Sequence, residues 1–180
     1  MFKKIAIATA TAALFSIGQS ATAGQTSNTL NVTANVAANC LVTTAPVDYS
    51  GSYDPVSTNA VANLDFGASI AFRCTKSSGG VTSGITNGAN YSSGRRLADT
   101  GAANFLNYEL YQPAAVGGAA ACAYTQAYGT AGAGLFAVAG SNFTSASTSV
   151  TVKICGRVPG GQDVPATGNY TDAVIVNVNF

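Results

Sequence analysis

Histidine and tryptophan are absent from the 180 residues, and only 8% of the chain is charged. Without an imidazole there is no Ser-His-Asp triad, no Cys-His dyad and no histidine-ligated metal. The acidic residues, Asp48, Asp54, Asp65, Asp99, Glu109, Asp163 and Asp172, are scattered along the chain. Two could meet in space, as in a glycosidase, but no local spacing points to a pair, so surface solvation is their expected role. The four cysteines contain no C-x-x-C, which removes the usual zinc spacing. The glycines do not form G-x-x-x-x-G-K-[ST], which removes a phosphate loop. Arg95 and Arg96 are the only adjacent basic pair after the start of the chain, so nothing resembles a nucleic-acid footprint. No helix has convincing periodicity, and no segment of 20–50 residues repeats. The sequence thus predicts a protein with no catalytic residues, no metal and no cofactor.

What is present begins with an export signal. Lys3 and Lys4, an apolar run from Ile5 to Ile17 and the small-residue site Ala21-Thr22-Ala23 have the form of a cleaved leader over residues 1–23. The apolar run is too short and too diluted by Ala and Thr to span a membrane. Cleavage leaves about 157 residues, enough for one domain with a core, and no transmembrane span. Without Lys3 and Lys4 the basic and acidic counts nearly balance. So little charge among abundant Ala, Thr, Ser, Asn and Gly suits a surface that packs against other subunits or carries no strong field, better than a cytosolic enzyme. The tyrosines 49, 53, 108, 111, 124 and 128 are expected in the core or between subunits rather than lining a sugar site. All four cysteines, Cys40, Cys74, Cys122 and Cys155, follow the leader, and an even count in an exported chain argues for disulfides. Of the three pairings possible, Cys40 with Cys74 and Cys122 with Cys155 is favoured, because each joins positions inside strand-like runs. Each bridge closes a loop of a few tens of residues, worth about 3–4 kcal/mol.

Alternation dominates the rest. Residues 168–180 read as one strand, with Val174, Val176, Val178 and Phe180 on its core face, Gly168 marking the turn before it and no sequence following it. Leu30, Val32, Ala34 and Val36 alternate in the same way and continue into Ala38, Cys40 and Val42. Thirteen extended residues would span about 43 Å, twice a usual strand, so the run divides into strands over 29–36 and 38–42. No turn residues lie between them, so no hairpin is expected. The first half then has an apolar face and no evident partner in its own domain. Further strands are predicted over 68–75, 81–85, 95–98, 103–112 and 147–156; the glycines of the Ala- and Gly-rich stretch 113–140 argue against helix there, and residues 159–168 are a loop before the final strand. Short strands separated by turns indicate an antiparallel β-sandwich.

Gly156-Arg157-Val158-Pro159-Gly160-Gly161-Gln162, then Gly168-Asn169-Tyr170-Thr171-Asp172 and a strand ending Asn179-Phe180, resembles the spore coat protein U domain family, which includes the pilins of Csu-type archaic chaperone–usher pili. Arg95-Arg96-Leu97 and Phe105-Leu106-Asn107-Tyr108-Glu109-Leu110-Tyr111 are similar to its middle strands. Val36-Ala37-Ala38-Asn39-Cys40 and Phe72-Arg73-Cys74 are similar to its two cysteine strands. The second cysteine pair and the Ala/Gly stretch 113–140 depart from many relatives. The resemblance implies an immunoglobulin-like sandwich lacking its last strand. Its groove, beside Val174, Val176, Val178 and Phe180, would be filled first by a periplasmic chaperone and then by the N-terminal extension of a neighbouring subunit, with Leu30, Val32, Ala34 and Val36 as donor residues. It implies a leader over 1–23, a donor extension over 24–37 and a pilin domain over 38–180. It also implies an outer-membrane usher as partner, export through the periplasm to the cell surface, and a head-to-tail fibre serving adhesion or biofilm formation. A coat protein of the same fold is one alternative. A secreted adhesin is another, with Leu135-Phe136-Ala137-Val138 its only candidate loop and a packed strand the preferred reading of it.

Overall fold

The computed structural model describes residues 24–44 and 51–180; the leader expected over 1–23, and Asp48 and Tyr49, lie outside the described residues. Two units are distinguished, one ending at Asn35 and one running from Val36 to Phe180. Within the first, residues 24–35 have no regular secondary structure. The strand expected over 29–36 is therefore not formed, and Leu30 and Val32 are 85% and 83% exposed. A strand needs a ladder of partners, and no described strand supplies one there.

The described residues of the second unit form ten strands: β1 (Cys40–Thr44), β2 (Leu64–Cys74), β3 (Val81–Ile85), β4 (Arg96–Ala98), β5 (Phe105–Asn107), β6 (Glu109–Pro113), β7 (Cys122–Ala127), β8 (Phe136–Val138), β9 (Val150–Val158) and β10 (Val176–Asn179). They form a five-stranded sheet ordered β1-β2-β9-β6-β7, a three-stranded sheet β10-β3-β8 and a β4-β5 ribbon. Every strand pairing is antiparallel. The described residues include three single-turn 3-10 helices in the loops and no α-helix. The all-β antiparallel class is the one read from the sequence.

β2 shows how period two makes the core. Leu64, Phe66, Ala68, Ile70, Phe72 and Cys74 point one way, and Asp65, Gly67, Ser69, Ala71 and Arg73 the other. Its nine-pair ladder with β9 sets Ile70 opposite Val152 and Phe72 opposite Val150. Across from these four lie Val81 of β3, Val138 of β8 and Phe143, in one buried cluster that Val178 also joins. A second cluster joins Ile85, Leu106, Tyr108, Leu110, Tyr128, Ile154 and Val158. Each cluster takes residues from more than one sheet, as two packed layers require.

Several expected boundaries move. β2 begins at Leu64 rather than 68, because Leu64 and Phe66 continue the alternation. The strand expected over 103–112 divides at Tyr108: β5 pairs with β4, while β6 pairs with β9 and β7. The Tyr108 N–H donates to the Arg95 carbonyl at 3.1 Å where the chain changes sheet. The closing strand expected over 168–180 is regular only over Val176–Asn179. Before it, Thr171 bridges to Ala98, and Ala173 and Ile175 accept from the N–H groups of Ala89 and Thr86. The adhesin candidate at 135–138 contains β8, paired with β3. Disulfides join Cys40 to Cys74, between β1 and β2, and Cys122 to Cys155, between β7 and β9.

Candidate functional site

The inner face of the five-stranded sheet is not covered evenly. At one end of β2, Ile70, Phe72 and Cys74 are at most 2% exposed. At the other end, Leu64, Phe66 and Ala68 are only half-buried and line a cleft of about 1220 Å³. That volume exceeds the roughly 300–1,000 Å³ usual for small-molecule pockets. Leu106, Leu110, Ile154 and Val158 continue the apolar lining, and Val164, Tyr170, Val174 and Val176 belong to the segment that completes it. Gly156 lies opposite Phe66 in the ladder. It has no side chain, and the Phe66 ring occupies the space that a Cβ there would need.

The segment running into β10 is fixed by one carboxylate. Asp172 accepts the Tyr108 hydroxyl at 2.7 Å and the Asn90 N–H at 3.0 Å. Its carboxylate fills the position a Cβ would take on Gly88, which has φ +95°. Only glycine suits both the left-handed backbone and that close approach. Burial first, and then Asp172, push the Tyr108 hydroxyl far above the usual tyrosine range, so the phenol stays a donor. Below it, Arg95 is 3% exposed and pairs with Glu109. Its guanidinium also donates to the carbonyls of Ile85, Thr86 and Tyr128. The loop on the far side is held by Gln162, whose side chain exchanges hydrogen bonds with the Asn107 backbone, and by Thr167, which donates to Asp99 at 3.0 Å.

β10 is the edge of its sheet. β3 pairs with one side of it, and among the described residues no strand pairs with the other. An unpaired row of backbone N–H and C=O groups is a template for another strand. A free strand edge and an open apolar cleft on one body suit recognition of an extended peptide by strand addition, with side chains seated at every second position.

The four residues expected to form the groove are placed differently. Val174 and Val176 line the cleft. Val178 packs with the other cluster, around Phe72 and Phe143, and Phe180 is 57% exposed. The sequence reading missed Leu64, Phe66, Leu106, Leu110, Ile154 and Val158. Leu106, Leu110 and Ile154 fall within the strands expected over 103–112 and 147–156, whereas Leu64, Phe66 and Val158 lie beyond the expected strand ends. Of the expected donor residues, Leu30, Val32 and Val36 are 85%, 83% and 77% exposed, and Ala34 is exposed as well. Several carboxylates that could have suggested catalysis have structural partners instead. Asp65 forms a two-point pair with Arg157 at 2.6 and 2.7 Å, Glu109 pairs with Arg95, and Asp54 caps a turn by accepting from the N–H groups of Val56 and Ser57.

The family model described as Spore Coat Protein U domain matches residues 26–177. Among curated proteins, Protein U of Myxococcus xanthus is 31% identical over 188 residues, covering 98% of this chain and 96% of its own length. Among solved structures, similarity is found to the CsuC–CsuE chaperone–tip adhesion subunit pre-assembly complex from archaic chaperone–usher Csu pili of Acinetobacter baumannii. The TM-score is 0.50 at 18% identity, over 81% of this chain and 40% of that one, so this chain spans less than half the length of the chain it matches. At that identity the likeness speaks for the fold alone, and it agrees with the antiparallel sandwich described above.

Proposed function

This chain belongs to the Spore Coat Protein U domain family, and from that premise we propose that it is a structural subunit, not an enzyme, that polymerises by donor-strand exchange into a surface pilus. Export delivers it to the periplasm, where a chaperone strand occupies the cleft and the free edge of β10. At an outer-membrane usher, residues 29–36 of the next copy displace that strand. The fibre then reaches the cell surface, where it serves adhesion or biofilm formation. Residues 24–37 are the donor extension, and the pilin domain follows.

One observation carries this reading: an apolar cleft beside an unpaired strand edge, in a chain that also exposes Leu30, Val32 and Val36. Burying those three side chains is worth about 4.5–9 kcal/mol at 1.5–3 each, comparable to the net stability of a domain. Donor and cleft are different surfaces, so the contact repeats head to tail without closing. The test is Val32→Asp. It leaves every residue of the cleft in place, so the chaperone complex should still form while fibre growth stops. Normal fibres from this variant would remove residues 29–36 from the donor role.

The family's description favours a second reading, a coat subunit of the same fold deposited without an usher. Deleting a chaperone or usher encoded beside the gene separates the two. Surface display that persists after deletion supports the coat, and display that disappears supports the pilus.

A further inference from the structure

Tension along such a fibre reaches the body of each subunit through residues 37–39, where Ala37 and Asn39 hydrogen-bond to Thr75, and then through β1. By itself β1 is a weak anchor. Among the described residues β2 is its one strand neighbour; its register slips between Val42 and Thr44, and Leu41 and Val42 remain 53% and 45% exposed. Its first residue, however, is bonded to the last residue of β2, through the disulfide between Cys40 and Cys74. β2 is held by nine pairs to β9, and its Leu64, Phe66 and Ala68 line the cleft.

Resting on the donor-strand reading above, we propose that the Cys40–Cys74 bond is a covalent tension path. It carries force from the donor segment of a subunit directly into the strand that lines that subunit's own cleft. The segment between Cys40 and β2 then lies off the path, and β1 is spared a load that would open it pair by pair from one end. Without the bond, force breaks the Asn39–Thr75 hydrogen bonds, peels β1 from β2 and then draws out the chain up to Leu64 as the hydrogen bonds of Tyr53 and Asn59 to residues 159–162 give way. The residues from Cys40 to Asn63 reach about 80 Å when extended at roughly 3.3 Å each. The second disulfide, at the far edge strand β7, has no such role.

The test stretches single fibres assembled from the processed full chain, in optical tweezers. Wild-type fibres should rupture with no earlier yield. Fibres of the double variant Cys40→Ser/Cys74→Ser should yield at lower force, each subunit lengthening by up to about 80 Å. If that variant does not fold, phosphine reduction of already assembled Cys122→Ser/Cys155→Ser fibres gives the same comparison, since Cys40 and Cys74 hold their only disulfide. Rupture without a prior yield once the bond is gone, or the same yield in wild-type fibres, overturns the tension path and leaves donor-strand assembly standing. If the wild-type chain forms no fibres even with its chaperone and usher, the donor-strand reading fails and the tension path falls with it.

Discussion

Gly156→Ala narrows the cleft without touching its polar frame. A Cβ at Gly156 would lie within 2.5 Å of three carbons of the Phe66 ring, whereas carbon atoms in good contact sit about 3.5–4.0 Å apart. The ring must retreat by an ångström or more, and the open side available to it is the cleft that it lines. Overpacking of this kind costs about 1–3 kcal/mol. At about 2–4 °C per kcal/mol for a domain of this size, the thermal midpoint should fall by about 2–12 °C. A peptide of residues 25–37 should lose at least as much affinity, because the displaced ring stands where a donor side chain would sit. Calorimetric titration of the leader-free chain with that peptide, beside thermal unfolding, measures both effects. Phe66→Leu added to Gly156→Ala should recover most of each loss, as expected for residues in contact. Unchanged peptide affinity in Gly156→Ala, or no recovery in the double variant, would refute the cleft as the peptide's seat.

Other consequences follow from the same frame. Arg95→Met leaves Glu109 unpaired beside three carbonyls that lose their donor, so urea unfolding should show a loss of about 3–5 kcal/mol, and a loss below 1 kcal/mol would show the pair to be dispensable. The Asp99 carboxyl is held down to about 2, first by the Asn104 side chain and further by the N–H groups of Asn104 and Ala103 and the Thr167 hydroxyl. Its folded value lies below the unfolded one, so its contribution is complete above about pH 4 and is lost as pH falls towards 2; Asp99→Asn should flatten the acid limb of stability across that window, and an unaltered limb would contradict the assignment. Residues 24–39 carry no charge, and Asp172, the charged residue lining the cleft, is engaged by Tyr108 and Asn90. Peptide affinity should therefore change less than about twofold from low to molar salt, and a tenfold loss would mean that charge drives binding.

What the sequence disclosed followed from period two. Val81–Ile85 was legible as a strand because turn residues bracket it, and the strand containing Cys74 because Ile70 and Phe72 share a face. Period two says which side chains share a face but not what lies opposite that face. Leu64, Phe66 and Ala68 continue the same pattern as Ile70 and Phe72, yet they line an open cleft while the other two sit under β3 and β8. That difference is set by where Val81, Val138 and Phe143 fall in space, which no local pattern encodes. The break at Tyr108 was hidden for a similar reason. Leu106, Tyr108 and Leu110 alternate without interruption, but β5 and β6 answer to different partners. In the last segment, Val174, Val176 and Val178 do alternate in burial; the ladder is shorter than the pattern because Asp172 and Thr171 make contacts outside it. The apolar face of residues 30–36 was legible as one in want of a partner, and its side chains stand exposed.

The most direct measurement moves residues 25–37 behind a flexible linker at the C-terminus and compares thermal unfolding of the isolated monomer with that of the unaltered leader-free chain. Seating Leu30, Val32 and Val36 should add about 4.5–9 kcal/mol, raising the midpoint by about 9–36 °C and leaving a chain that no longer joins fibres. An unchanged midpoint, or a rearranged chain that polymerises as before, would contradict the claim that this cleft is completed by a strand from another copy.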